Sequence, residues 1–268
     1  MSLKGKQGII MPIICASDET HLTNYSGDKS AWPVYITIGN LSSKVRNASS
    51  SHRLLLLGLL PITPKHQSLS EVDKSRIRTI LQDCVYELLS PLSVPSQEGV
   101  ILKCVDEKER ICFPWLAAWI ADHKEYVSLL NIYYNTCTVC EAPRKTLGNH
   151  ENPSGYRQYH TYETLKAELG SSSTAADQKK EIRAYLDKMS VKETYTAFCQ
   201  LPGVNPALLP KPDLLHGMYL GMTKHVLGWL YQFLKLYKRV DRFDNAWCSM
   251  ASYPGFQPFH LSYTQTLS

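Results

Sequence analysis

Long hydrophobic runs are missing from this sequence of 268 residues. The two longest apolar stretches, residues 54–61 and 113–121, fall far short of the roughly 20 residues that a membrane-spanning helix needs. The apolar residues 9–16 have neither the length nor the small-residue cleavage site of a secretory signal. We therefore expect a soluble protein with no membrane partner and no export route.

A disulfide framework and a strong excess of charge are missing as well. Of the eight cysteines, only Cys137 and Cys140 have the spacing of metal ligands, and without a secretory signal free thiols are expected. The net charge of +5 is compatible with nucleic acid but is small beside that of dedicated DNA-binding domains. With 44% hydrophobic and 20% charged residues, the chain has the composition of a globular protein.

The first half of the sequence predicts an α/β fold. Apolar segments at residues 9–15, 32–38 and 52–60 predict three strands in an antiparallel meander. A helix follows, opened by Ser70 with Asp73 three residues later and ended by Pro91. Residues 100–105 and 111–113 then predict a hairpin that leads into the apolar run 115–121. The tryptophans are predicted to lie in the core: Trp32, Trp115, Trp119 and Trp229.

The second half is predicted to be mainly helical. Residues 136–157 are polar and indicate a loop or insertion, and helices are predicted at residues 162–169, 175–189 and 214–237. Several prolines between residues 201 and 212 exclude a single regular element there. We expect three regions: the first part of a catalytic core at 9–135, a helical insertion at 136–240 and a tail at 241–268.

Two aspartates follow apolar strands. Asp18 ends the first strand, and Asp122 ends the run that comes after two more strands and a helix, which is the order of a ribonuclease H-like nuclease fold. Such sites hold two Mg²⁺ ions between carboxylates. An aspartate at a strand end is more often a turn or helix cap, so neither residue alone decides the function. A different nuclease would recruit another acid, such as Glu125 or Asp213.

Cys137 and Cys140 form a Cys-x-x-Cys pair in a polar loop. Two thiolates at this spacing can grip one Zn²⁺, but a tetrahedral site needs two more ligands. The available histidines are His150, His160, His216 and His225. His216 and His225 are nine residues apart and face opposite sides of a straight α-helix, so either Gly217 or Gly221 distorts the helix or only one histidine is a ligand. A redox role is disfavoured because no βαβ unit surrounds the pair.

Four blocks of the sequence resemble fungal Plavaka-type DNA transposases, which are CACTA-like (EnSpm) and KDZ-related. The blocks are residues 16–41, residues 112–122, the pair Cys137 and Cys140, and residues 213–225, in the order of the family. The first block is long and specific, whereas a Cys-x-x-Cys pair alone would not be.

The resemblance implies a ribonuclease H-like core, with a mixed sheet and flanking helices, and a mostly helical zinc-binding insertion. It implies that Asp18 and Asp122 bind Mg²⁺ or Mn²⁺. Cys137 and Cys140 would bind a structural Zn²⁺, with His216 as third ligand and His225 as fourth. The partners implied are transposon ends and target DNA, with a homo-oligomer or a full-length transposase, and the location implied is the nucleus.

The family's third acid, a glutamate beyond the zinc histidines, has no counterpart here. No Glu or Asp follows Asp244. We therefore expect a truncated, transposon-derived chain that carries out little or no DNA strand transfer by itself. The alternative is a zinc-stabilised protein that binds DNA or the transposase without cutting.

Overall fold

The computed structural model describes residues 8–22, 30–48, 50, 53–62, 69–147, 154–212 and 214–249. Its strands are β1 Ile9–Ser17, β2 Thr20–His21, β3 Ser30–Ile38, β4 Leu55–Leu60, β5 Val100–Lys103, β6 Glu109–Ala121 and β7 Pro210–Pro212. Its α-helices are α1 Ser43–Asn47, α2 Glu71–Leu89, α3 Ser93–Glu98, α4 His123–Leu129, α5 Tyr159–Gly170, α6 Ala176–Lys188, α7 Thr223–Leu236 and α8 Val240–Cys248. The predicted α/β class is confirmed.

The strands form one mixed sheet. β3 runs antiparallel to both β1 and β4, which confirms the predicted meander. β6 lies on the other side of β1 and runs parallel to it, and β7 runs parallel to β6. The main path is therefore β4-β3-β1-β6-β7, with β2 extending the pairing of β3 and β5 forming a hairpin with β6.

The strand β6 is longer than its sequence suggests. The hairpin arm and the apolar run that follows were expected as separate segments, but they form one strand of 13 residues. Pro114 lies within it, opposite Met11 of β1 and beyond Cys112, where the ladder with β5 ends. Because proline cannot donate to a ladder, its place beyond the reach of β5 lets β6 continue.

The short strand β7 was not predicted. It consists of Pro210, Lys211 and Pro212, and pairs with the last residues of β6. Two prolines in three residues argue against a strand in general, but an edge strand tolerates them. The chain thus returns to the sheet after the long excursion that follows β6.

Helix α2 covers one face of the sheet. Ser70 caps its N-terminus by accepting from the backbone N–H of Asp73, as predicted from their spacing. Leu81, Val85 and Leu89 of this helix join one hydrophobic core with alternate residues of the strands, such as Ile13 and Cys15. The intervening residues of each strand lie on the opposite face.

The other predicted helices are present with small shifts at their ends, except the last. Residues 214–237 form a π-helix, Leu214–Met222, followed by α7 rather than one uniform α-helix. The π-helical stretch contains Gly217 and Gly221, either of which was considered as the residue that distorts the helix. A π-turn widens the helix, which changes the relative phase of residues on either side.

The chain divides into two compact units, Met1–Pro212 and Asp213–Ser268. The first unit contains the sheet, and the second contains the π-helix Leu214–Met222, α7 and α8. In the described part of the chain, no helix combines the length and apolar character needed to cross a bilayer.

The tryptophans are not all buried, contrary to expectation. Trp32 and Trp119 belong to the core, as predicted. For Trp115 and Trp229 the prediction is wrong, because they are 38% and 71% exposed. Apolar neighbours in sequence were therefore an unreliable guide to burial.

Candidate functional site at the carboxyl edge of the sheet

Asp18 and Asp122 lie side by side at one edge of the sheet. Asp18 directly follows β1 and Asp122 directly follows β6, and these strands are parallel neighbours. Their register pairs Ala16 with Ile120, so two further residues bring Asp18 opposite Asp122. Adjacent strands are about 4.8 Å apart, which sets the scale of the separation between the two backbones. The fold thus brings together two acids that are distant in sequence.

Asp122 also begins helix α4. It is the N-cap residue, and its Oδ1 accepts a hydrogen bond of 2.7 Å from the backbone N–H of Glu125. This cap fixes the position of the Asp122 side chain. Among the described residues, no side chain or backbone group donates to the second oxygen of the Asp122 carboxylate. The cap and a metal-ligand role are therefore compatible, since a carboxylate has two oxygens.

Glu125 ties the end of β1 to helix α4. It is only 5% exposed. Its Oε2 accepts a 2.5 Å hydrogen bond from the hydroxyl of Ser17, and its Oε1 accepts a 2.7 Å bond from the backbone N–H of Glu19. The indole N–H of Trp119 donates to the same Ser17 oxygen over 3.0 Å. Asp18 is therefore bracketed by two residues that are both anchored to Glu125.

The electrostatics of Glu125 match this structural role. Burial raises the pKa of its carboxyl, the charge of Asp122 raises it further, and the hydrogen bonds from Ser17 and Glu19 offset part of the rise. With both oxygens engaged and the side chain buried, Glu125 is placed to position the Asp18 segment rather than to face solvent as a metal ligand. The other acid considered beside it, Asp213, lies outside the described residues.

Tyr126, the next residue of α4, secures the other side of Asp122. Its hydroxyl accepts from the backbone N–H groups of Ala121 and Lys211, and lies 2.6 Å from the carbonyls of Trp119 and Lys211. It joins the end of β6 to β7. Helix α4 therefore fixes the acidic edge on both sides, through Glu125 to β1 and through Tyr126 to β7.

Two carboxylates at the ends of adjacent parallel strands fit a divalent cation. Oxygen ligands suit Mg²⁺, which commonly uses one or two protein carboxylates and completes its shell with water and substrate phosphate. Asp18 is exposed and Asp122 is half-buried, so substrate can reach both. The donor set therefore fits Mg²⁺ or Mn²⁺ bound together with a phosphate.

The Cys137–Cys140 loop has a backbone suited to thiolates. The sulfur of Cys137 accepts from the backbone N–H groups of Val139 and Cys140, both at 3.4 Å. The loop is held against residues 155–157 by a bridge between Cys140 and Tyr156. The buried Arg157 donates to the carbonyl of Cys137 over 2.6 Å. The loop is therefore a defined structure rather than an unordered connection.

The pKa values of the two thiols move in opposite directions. Partial burial disfavours the thiolate of Cys137, but the backbone donors of Cys140 and Val139, the Cys140 thiol and the Arg157 charge outweigh it, so its pKa is lowered. The pKa of Cys140 is raised, first by burial and then by the neighbouring Cys137. A thiolate at Cys137 is the form that binds zinc.

The histidine ligands are not brought into this site by the described structure. His160 lies with its Nε2 2.9 Å from the carbonyl of Val204. His150 and the side chain of His216 lie outside the described part. His225 is exposed in the second unit, its ring 6.3 Å from that of Trp229. Among the described residues, no three His, Cys, Asp or Glu side chains form a group able to hold a metal.

Comparison with known proteins identifies the family. The sequence matches the family described as Plavaka transposase over residues 2–230. The chain belongs to the Plavaka transposase family. The predicted resemblance to Plavaka-type transposases is thereby confirmed at the level of the family, and membership implies a transposon-derived, transposase-like protein with DNA as its partner. A search of curated proteins found no match.

In this Plavaka family member, sequence reasoning found the two acids but missed what holds them. Glu125 was considered as an alternative catalytic acid, and Tyr126 was not singled out. The spacing Asp122-x-x-Glu125 is typical of a capping box, which signals a helix start. In the structure, the glutamate side chain crosses instead to Ser17 and Glu19 on the neighbouring strand. Because these hydrogen bonds of Glu125 join residues that are distant in sequence, they leave no local pattern.

Proposed function

We propose that this chain is a transposon-derived protein built on a ribonuclease H-like core that acts on DNA phosphodiesters through Asp18 and Asp122. The observation that carries the proposal is the register of β1 and β6, which supports a paired carboxylate site. The order of the strands also supports it: an antiparallel meander, a helix, and then a strand parallel to the first. Its origin in a fungal CACTA-like, KDZ-related element is part of the same proposal.

The roles of the residues follow from their positions. Asp18 and Asp122 would hold a divalent metal ion, and the scissile phosphate would bind to that ion. Bound Mg²⁺ or Mn²⁺ lowers the pKa of an attacking water and neutralises charge on the phosphate. Glu125 keeps Asp18 in register with Asp122 through its bonds to Ser17 and Glu19. Water would attack the phosphorus at the end of the element and break its bond to the 3′-oxygen, which leaves as a free 3′-hydroxyl. That hydroxyl would then attack a target-DNA phosphate in line and displace the 3′-oxygen of the target strand.

Catalysis by this chain alone is proposed to be incomplete. The resemblance calls for a third carboxylate beyond the zinc histidines, and no Glu or Asp follows Asp244. Glu125 is a poor substitute because both of its oxygens accept hydrogen bonds. We therefore expect metal-dependent DNA binding or slow nicking, with little strand transfer.

Nicking of a supercoiled plasmid in Mg²⁺ or Mn²⁺, together with Mn²⁺ binding by calorimetry, tests the acidic site. Asp18→Asn and Asp122→Asn should each remove the metal affinity and any nicking. Asp73→Asn is the matched control, since that acid lies in the first turn of α2, where it accepts from the Ser70 hydroxyl. Metal binding or nicking that survives Asp18→Asn would exclude the assignment.

The cysteine loop is proposed to hold a structural Zn²⁺. The two backbone N–H bonds to the Cys137 sulfur and its lowered pKa support a thiolate ligand at this position. His216 is proposed as the third ligand and His225 as the fourth. Elemental analysis of the purified chain should give about one zinc per chain.

The paired variant Cys137→Ala with Cys140→Ala should lose that zinc, whereas Cys104→Ala, which alters a cysteine outside the loop, should retain it. A folded wild-type protein without zinc would refute the assignment.

A second function is a zinc-stabilised protein that binds DNA or a full-length transposase without cutting. The ordered Cys137–Cys140 loop, with its two backbone N–H bonds to the Cys137 sulfur, favours this function. DNA binding that is unaffected by both Asp18→Asn and removal of Mg²⁺ would support this function. The proposed partners are transposon ends, target DNA, a second copy of this chain or a full-length transposase, and the proposed location is the nucleus.

A further inference from the structure

A cavity of about 420 Å³ lies against the sheet, close to the acidic edge. Its floor is formed by strand residues on the face opposite the α2 core, and its rim by α1 and the segment that enters β4. Its lining includes Ile14, Thr37, Arg46, Arg53, Leu54 and Ile120. Its volume is within the roughly 300–1,000 Å³ of small-molecule and cofactor pockets.

Among the described residues, the charged side chains that line this cavity are both arginines. Arg46 projects from α1, and a guanidinium N–H of Arg53 donates to the carbonyl of Ala48 at the end of that helix, which orients the second arginine. Planar guanidinium groups bind phosphate through paired hydrogen bonds. Two of them at one cavity select an anion.

The hydroxyl of Thr37 gives independent evidence that the cavity binds a polar group. It lines the cavity, and it is only 9% exposed. Its hydroxyl oxygen has no hydrogen-bond partner within the described residues. A buried hydroxyl without a partner is costly, and a bound polar group in the cavity would satisfy it.

The location links the cavity to the acidic pair. Ile120 precedes Asp122 by two residues on β6, and Ile14 precedes Asp18 by four on β1. At about 3.3 Å per residue, the cavity is roughly 7–13 Å from the acids along the strands. Even spacings also put Ile14 and Asp18 on the same side of β1. Along one strand of duplex DNA, the ~3.4 Å rise combines with the rotation about the axis to place successive phosphates ~7 Å apart in space, so this distance covers about one to two nucleotides.

We propose that this cavity is a DNA-strand subsite, in which Arg46 and Arg53 hold a backbone phosphate about one to two nucleotides from the acidic pair. The hydroxyl of Thr37 bonds to the phosphate or the adjoining sugar, and the sugar and base lie over Ile14, Leu54 and Ile120. The inference rests on the proposed function, because it takes the acidic pair as the site of the scissile phosphate.

Fluorescence anisotropy of the full chain with a labelled duplex that has a single-stranded 3′ overhang, over a series of salt concentrations, tests the subsite. Arg46→Gln should weaken binding about tenfold and reduce the slope of log affinity against log salt by about one. Lys44→Gln is its matched control: the same charge is removed from the same helix, at an exposed residue that does not line the cavity. It should have a clearly smaller effect.

Thr37→Val tests the subsite without changing the net charge of the protein. Losing the hydroxyl should weaken DNA binding several-fold without lowering the melting temperature, since the hydroxyl has no protein partner among the described residues. Thr37→Ser, which keeps the hydroxyl, should bind like the wild type. A stabilised Thr37→Val protein with unchanged affinity would show that the hydroxyl is simply unsatisfied, and would overturn the inference.

The remaining outcomes separate the subsite from the function. Wild-type binding to DNA with equal effects of Arg46→Gln and Lys44→Gln would overturn the subsite and leave the proposed function standing. No binding of DNA by the folded wild type would overturn both. Stabilisation by a free deoxynucleoside monophosphate that depends on Arg46, without DNA binding, would overturn the DNA assignment and identify a nucleotide pocket.

Discussion

Replacing Glu125 with alanine should destabilise the protein severely. The change removes the acceptors of the Ser17 hydroxyl and the Glu19 backbone N–H, and it opens space beside Trp119. A buried donor left without a partner costs about 1–3 kcal/mol. With two donors affected, we expect the free energy of unfolding to fall by about 2–5 kcal/mol.

Glu125→Gln separates hydrogen bonding from volume. The amide oxygen of glutamine can still accept from Glu19, and its NH₂ can donate to the Ser17 oxygen, which also accepts from Trp119. The hydroxyl proton of Ser17 then lacks its acceptor. We expect a loss of about 1 kcal/mol, intermediate between wild type and alanine.

Urea unfolding followed by circular dichroism measures these differences, with Glu98→Ala at an exposed position as the control, expected within about 0.5 kcal/mol of wild type. If Glu125→Ala unfolds at the same urea concentration as Glu98→Ala, Glu125 does not anchor β1 to α4. If Glu125→Ala folds normally yet Mn²⁺ affinity is unchanged, the carboxyl does not position Asp18.

Three further predictions concern the first unit. Gln82→Ala should reduce the free energy of unfolding by about 2–4 kcal/mol. The fully buried Gln82 amide donates to the carbonyls of Ser128 and Leu129 and accepts from the N–H of Ala197. An unchanged midpoint of urea unfolding would contradict this prediction. Gly99→Ala should destabilise the protein by about 1–3 kcal/mol, because Gly99 has φ of 84° and a Cβ there would lie 2.7 Å from Ile111. Gly170→Ala should not destabilise it, because a Cβ at that position meets nothing within 4 Å. Equal melting temperatures for the two variants would refute the strain at Gly99. Cys15 should resist alkylation at pH 8 in the native protein, because burial raises the pKa of its thiol to about 12. The exposed Cys248 should react. If peptide mass spectrometry finds both cysteines labelled equally, the burial of Cys15 is contradicted.

Much of the first half was predictable because its signals are local. The alternation and turn residues of β1 and β3, and the cap of α2 at Ser70, depend on neighbours within a few positions. The position of Asp18 directly after β1 follows from the same pattern. The sequence also carried the family blocks, and these led to the correct family.

Local sequence patterns could not predict which strands pair with each other. β7 was missed because its two prolines argue against a strand, and because its support comes from the edge of β6 and the hydroxyl of Tyr126, which are distant in sequence. The continuity of β6 was missed because Pro114 is acceptable only where no strand needs its N–H. Both depend on which strand lies alongside.

The sequence by itself therefore determined the strands, the helix caps and the presence of Asp18 and Asp122 at strand ends. Only the tertiary structure decided that these ends are neighbours in register, and that Glu125 secures them by reaching 108 residues back to Ser17. The physical reason is that capping and alternation are settled within one turn or one strand, whereas a buried carboxyl finds its donors wherever the packed sheet brings them.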